Sequence, residues 1–441
     1  MKQTIRQRMQ KWAAGAGAPG QAVVFFAVLL VVSMPLSPFL LSISMWGLVF
    51  ATFWRLCREG NTSWPGIRTV WVILEGSFRN FFRQRQYAVL FLLLLAPALS
   101  GLWSEDQAYW LERTRVRLPF LVLPWVFANL PPLSGRQFRL VLYLLTGLMV
   151  ALCVGVGVYF FLHFKAVMQA MYWGQSMPAP RNHIRFSLLV ATAVIAGGWL
   201  WQERYFWRSA RERRWLAVAV VFLFVFAHFL SVRSGLAALY ATLLFTLIRF
   251  IWRTRRWATA LLLLALLAFA PWLAMKTMPS FAQKVDYMAY DWRQYLEHKG
   301  ENYSDAERWI SLKTGWYIWQ ERPWLGAGAG DLPAETARVV RLHFPSYQQT
   351  PKLPHNQLLY ILAGTGLFGL ALSLLAFVYP LALKPYRGDY LFVAFQVMMF
   401  CSFLVEYTIE TAMGVAWYLF FTLWFMKRAE TEIAPGIPPY S

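Results

Sequence analysis

His355-Asn356, followed after nine residues by Gly366-Leu367-Phe368-Gly369, stands where a polar segment re-enters an apolar one. An imidazole there would lie at a membrane–water boundary. A neutral imidazole could remove a proton from a hydroxyl near pH 7. Other polar residues flank apolar runs in the same way: Arg181, His183 and Arg185 before one run, Arg233 in a very short turn between two more, and Arg308 within the polar segment. An arginine held between apolar spans is costly unless it meets an anion. Several guanidiniums together suit a phosphate or pyrophosphate, whose oxygens accept paired hydrogen bonds from the planar fork. Each residue also has a plainer reading. A lone histidine at a helix start is often a cap, Arg181 and Arg185 could snorkel to headgroups, and Arg308 could pair with Glu307 or Glu301. The cluster Gly364, Gly366 and Gly369 reads as helix packing. The run Gly326-Ala327-Gly328-Ala329-Gly330 resembles a phosphate loop but lacks the Lys-Ser/Thr pair and follows no strand, which argues against nucleotide binding.

The elements that must position these residues are membrane spans. With 58% hydrophobic and only 14% charged residues and a mean hydropathy of +0.43, the chain's main solvent is lipid. In lipid the backbone must satisfy itself, so the apolar runs are helices. About twelve are expected, near 19–34, 37–55, 87–103, 117–131, 138–163, 185–202, 214–231, 234–252, 257–275, 356–380, 388–405 and 411–426. The fourth is short and carries Pro119 and Pro124, so it is expected to be kinked or partly inserted. The first run leads straight into the second and is expected to act as its own targeting signal.

Lys and Arg set the orientation. If Lys2, Arg6, Arg8 and Lys11 are cytoplasmic, the Arg-rich loops 56–86, 203–213 and 253–256 share that side and the positive-inside rule is met. The net charge of +21 then reflects topology and anionic lipid, with no module for nucleic acid. The expected organisation is spans one to nine over 1–275, an insert over 276–354, spans ten to twelve over 355–426 and a cytoplasmic tail over 427–441. Helical stretches are expected in the insert from Phe281 to His298 and from Ser304 to Glu321, with Ser304 and Glu307 as a capping box. The insert, Arg181, Arg185, Arg233, Arg308 and His355 all come out on the non-cytoplasmic face. Cys57, Cys153 and Cys401 support no disulfide framework. Asp305, Glu307 and Asp331 are scattered, and neither His183 nor His343 makes a metal-ligand set with them.

The segment Arg308 to Asp331, then Pro354-His355-Asn356 and Gly366 to Gly369, resembles the signature of the O-antigen ligase and polymerase superfamily in order, spacing and membrane placement. The resemblance is tight over 304–370 and looser elsewhere; Ser231-Val232-Arg233-Ser234-Gly235 stands where the family has a more compact Ser-Arg-Gly. It implies an all-α, polytopic, GT-C-like inner-membrane protein with a largely helical periplasmic insert. It further implies a metal-independent glycosyltransferase without cofactor, moving a glycan from undecaprenyl pyrophosphate to a hydroxyl. Carried over, His355 is the base, and Arg233 and Arg308 hold the pyrophosphate; Arg181, Arg185 and Asn356 are substrate-binding candidates. The partners implied are the lipid-linked donor, a lipid A-core acceptor and membrane lipids. A ligase is the reading preferred; a polymerase or protein O-oligosaccharyltransferase of the same superfamily is its neighbour. A lipid-linked sugar transporter would need internal repeats and midplane charges.

Overall fold

The structure is a computed structural model that describes residues 17–59, 66–203, 209–297 and 304–433. Among these there is no strand; the chain is an all-α polytopic membrane protein. In chain order the helices are α1 (Gly17–Leu36), α2 (Pro38–Glu59), α3 (Ile67–Arg83), α4 (Arg85–Leu102), α5 (Gln107–Arg117), α6 (Pro119–Asn129), α7 (Gly135–Leu162), α8 (Phe164–Tyr172) and α9 (His183–Glu203). Then come α10 (Ala210–Leu230), α11 (Arg233–Thr254), α12 (Trp257–Thr277), α13 (Pro279–Leu296), α14 (Ser304–Glu321), α15 (Leu332–His343), α16 (Gln357–Ala382), α17 (Tyr390–Val405) and α18 (Ala412–Ile433).

Eight of the described helices are long and apolar enough to cross a membrane: α2, α4, α7, α9, α10, α11, α12 and α16. Two apolar helices, within α1 and at α17, are shorter. The count of twelve came from adding the runs at α6 and α18, and α6 differs from the rest. Alone it has 11 residues, about 16 Å at 1.5 Å per residue, too short to span. Leu118 keeps right-handed helical dihedrals, so α5 runs on into α6, but α5 is polar and the pair is not among the described helices apolar enough to cross a membrane. The polar half remains viable because Arg117 is buried against Glu410.

Helices that are apolar all round occupy the middle. In α9, 89% of the span is buried, against 11% in α12 at the periphery. Helix α18 is enclosed likewise, with Trp417, Phe420 and Trp424 at its centre. In the stretch expected as a loop, α3 lies along α6, where Trp125 Nε1 donates to Ser77 Oγ at 3.2 Å and Asn80 and Gln84 donate to the Ala128 carbonyl. Its other side exposes Ile67, Trp71 and Phe82 beside arginines, the pattern of a helix at a lipid surface.

The insert holds α13, α14 and α15, the last not foreseen from sequence although Pro333 near its start favours a helix there. The side chain of Ser304 and the residues His298 and Glu301 lie outside the description. The glycine run is not an open cradle. Helix α16 breaks at Gly366, where φ is +64° and ψ −164°, and the chain after Arg322 fills the break. Leu367 N donates to Pro323 O at 2.9 Å and Phe368 N to Trp324 O at 3.1 Å, while Ala327 N and Gly328 N donate to the Ala363 and Gly364 carbonyls at 2.8 and 2.9 Å. Those four groups would otherwise have formed two helical bonds, so the break leaves none of them unpaired. A Cβ at Gly366 would overlap the Trp324 backbone. Gly366 is therefore a break and not a packing glycine.

Candidate active site

Arg233 is the first residue of α11, placed by a tight reversal. Ser231 takes left-handed dihedrals (φ 55°, ψ 30°) and its hydroxyl donates to the His228 carbonyl at 3.1 Å. Two residues on, Gly235 meets Ser187 of α9 so closely that a Cβ would overlap it. That approach brings the start of α9, with His183, beside Arg233. Lysine Lys284 comes from α13, Arg308 from α14 and His355 from the entry to α16. With Ser176, Glu307 and Lys352 they line one pocket of about 210 Å³. Ser231, Arg233 and Lys284 also form the rim of a second cavity of about 320 Å³, whose remaining walls include Leu236, Ala237, Pro271, Phe281, Val285 and Met288. A polar pocket thus opens beside an apolar groove, with two cations on the shared wall.

Behind the pocket lies a residue that sequence reasoning missed. Glu406, 1% exposed at the end of α17, accepts from Arg308 Nη2 at 3.0 Å and faces His355 Nδ1 at 3.3 Å through its other oxygen. The plainer reading of Arg308 paired it with Glu307 or Glu301; Glu307 instead pairs with Lys352. Burial pushes the Glu406 carboxyl up, but the hydrogen bond with His355 and the charges of His355, Arg308 and Arg185 outweigh it and hold it below the usual carboxylate value. His355 is fixed from two further sides: its N–H donates to Ser311 Oγ at 3.2 Å, and its ring lies 5.2 Å from that of Tyr407. With Nδ1 taken by a carboxylate, the neutral ring keeps its proton there and Nε2 is the basic nitrogen.

A signal for Glu406 existed. Spans ten and eleven run in opposite directions, so the end of one emerges on the same face as His355 at the start of the other. The segment that carries Glu406 is braced by a second buried acid. Glu410 pairs with Arg117 and accepts from Gln357 Nε2 at 2.7 Å, while Ile409 N donates to Gln357 Oε1 at 3.0 Å.

Of the six sequence candidates, His355, Arg308 and Arg233 share the pocket. Three do not line it. Arg185 is buried behind it, with Nη2 3.5 Å from the Tyr407 carbonyl and its charge acting on Glu406. Arg181 is exposed in a left-handed conformation (φ 61°). Asn356 caps α16: its side-chain oxygen accepts from Leu359 N at 2.9 Å and its amide donates to Leu404 O at 3.0 Å, which occupies both ends. Among the described residues, no three His, Cys, Asp or Glu side chains come together to hold a metal ion.

Comparison with curated proteins finds no match. Residues 217–374 match the family model described as O-antigen ligase, a stretch that holds Arg233, Lys284, Arg308 and His355 and stops short of Glu406. Over that stretch, about a third of the chain, the sequence is similar to the O-antigen ligase family.

Proposed function

We propose that the chain is an O-antigen ligase of the bacterial inner membrane. It transfers a glycan from undecaprenyl pyrophosphate to a sugar hydroxyl of lipid A-core on the periplasmic face, without a metal ion. Both chain termini are then cytoplasmic. The observation that carries this reading is the polar pocket joined to an apolar groove across Arg233 and Lys284. A donor with a pyrophosphate head and a long hydrocarbon tail needs both compartments, side by side.

The chemistry is a single displacement. The acceptor oxygen bonds to the anomeric carbon while that carbon's bond to pyrophosphate breaks, and the hydroxyl proton passes to Nε2 of His355. Glu406 holds the imidazole and stabilises the imidazolium that forms. Undecaprenyl pyrophosphate departs with added negative charge, which Arg233, Lys284 and Arg308 take up. Fixed cations in a site partly shielded from water need no reorganisation during the reaction, and losing one donor costs about 10²–10³-fold in rate.

The test is transfer from synthetic undecaprenyl-pyrophosphate donor to purified lipid A-core in EDTA, comparing wild type with His355→Ala and Arg308→Ala. Transfer by the wild type, lost in both folded variants, supports the ligase and its site. Chain growth on donor alone, with no transfer to core, would mean a polymerase on the same scaffold. Inactivity in both assays sinks the ligase and polymerase readings.

A further inference from the structure

The irregular stretch leading to His355 opens with a turn, in which Tyr347 N donates to the Phe344 carbonyl at 3.0 Å. Its residues Pro345, Tyr347, Gln349 and Pro351 line a cavity of about 490 Å³ with Arg341 and Phe344. The next residue, Lys352, belongs to the wall of the polar pocket. Tyr347 stands in the partition. Its ring packs on Ile310 and Val340, and its hydroxyl donates to the Thr350 carbonyl at 3.4 Å. Burial, then the charge and hydrogen bond of Glu307 on the pocket side, push its phenol up to about 12, so it remains a donor at neutral pH.

The volume falls within the ~300–1,000 Å³ typical of small-molecule sites. The walls combine an aromatic face, Phe344, with donors and acceptors at Arg341 and Gln349, and include no carboxylate. Lys313 Nζ sits 5.9 Å from the Phe344 ring centre. A hydrocarbon tail would leave Arg341 and Gln349 unmatched. A sugar ring, apolar on one face and hydroxylated at its edge, matches both kinds of wall.

We propose that this cavity binds a saccharide: the part of the acceptor glycan next to the sugar whose hydroxyl attacks. The loop 345–352 then grips the acceptor on one side while its far side, through Lys352, completes the reaction pocket. The proposal deepens the ligase reading and rests on it.

The experiment uses the full-length protein and, as probe, core oligosaccharide freed of lipid A by mild acid. Arg341→Ala, Gln349→Ala and the double variant change exposed side chains, so folding should survive. Each single variant should raise the acceptor KM about tenfold, as the loss of one or two hydrogen bonds implies. The kcat and the donor KM should stay unchanged. Saturation-transfer NMR should show oligosaccharide bound to wild type and lost in the double variant. An unchanged acceptor KM with unchanged oligosaccharide binding overturns the proposal and leaves the ligase standing. Binding that the double variant abolishes, in a protein that transfers nothing, supports the saccharide site and removes the ligase.

Discussion

Replacing Glu406 by glutamine keeps the size of the side chain and removes its charge. The amide oxygen can still accept from Arg308 Nη2, now 3.0 Å from the carboxylate. Its NH₂ then faces His355 Nδ1 across the present 3.3 Å. A donor there makes Nδ1 the acceptor and moves the ring proton to Nε2, the nitrogen that must take the acceptor's proton. The loss lies between the worth of general-base catalysis, about 10²–10⁴-fold, and that of a wrong tautomer in a comparable triad, about 10⁴-fold. Each decade is ~1.4 kcal/mol of barrier. Donor and acceptor KM should move far less than kcat. Breaking a buried ion pair from one side costs about 3–5 kcal/mol; Arg308, 30% exposed, can turn to water, which favours the lower end. Initial rates at saturating substrates and a thermal melt, run beside Glu406→Asp and His355→Ala, separate catalysis from stability. A folded E406Q enzyme with kcat within about threefold of wild type, while H355A is inactive, would refute the orienting role. The folded carboxyl lies below its unfolded value of about 4.3. Its stabilisation is therefore full above that value and lost as pH falls through the lower folded one, so Tm should drop more steeply there for wild type than for E406Q.

Three further outcomes are expected. Lys284→Ala should raise the donor KM about tenfold or more and leave the acceptor KM alone, with Lys284→Arg restoring most of the loss, because the wall between pocket and groove needs a cation. Arg117→Met should cost about 3–5 kcal/mol by stranding Glu410 in the interior; the double variant R117M/E410Q should recover much of the Tm, and no recovery would remove the brace from the account of the 406–411 segment. Gly366→Ala should destabilise by more than about 1–3 kcal/mol, since the residue has positive φ and its Cβ would overlap the Trp324 backbone; faster proteolysis within 322–331 is the check.

What the sequence disclosed follows from how local each signal is. Apolar runs of span length report on lipid directly, and helices lie under all of them. His355, Arg233 and Arg308 were legible because each breaks or borders such a run, and parity of crossings puts them on one face. Glu406 escaped because its partners lie 98 and 51 residues away, at Arg308 and His355. Lys284 escaped because a lysine on a polar insert helix has no local mark; only the packing of α13 on α8 and α10 makes it a wall. Asn356 is the opposite case: it stands next to His355, and its side chain caps the helix it begins. The glycine-rich run was set apart from nucleotide binding for want of a Lys-Ser/Thr pair, and its partner, the broken helix α16, is visible only in three dimensions.

That break has a consequence for how the protein is made. Until residues 323–328 arrive, α16 cannot hold the shape it needs around Gly366, because two peptide N–H groups and two carbonyls in its span would face hydrocarbon without partners, at several kcal/mol each. The segment that satisfies them precedes α16 in the chain and belongs to the insert. The returning edge of the insert must therefore be in place before α16 settles beside α4. A ribosome stalled between α15 and α16 would leave the insert waiting for its helical partner, whereas a chain lacking the insert would present the insertion machinery with a helix that has a gap in its middle.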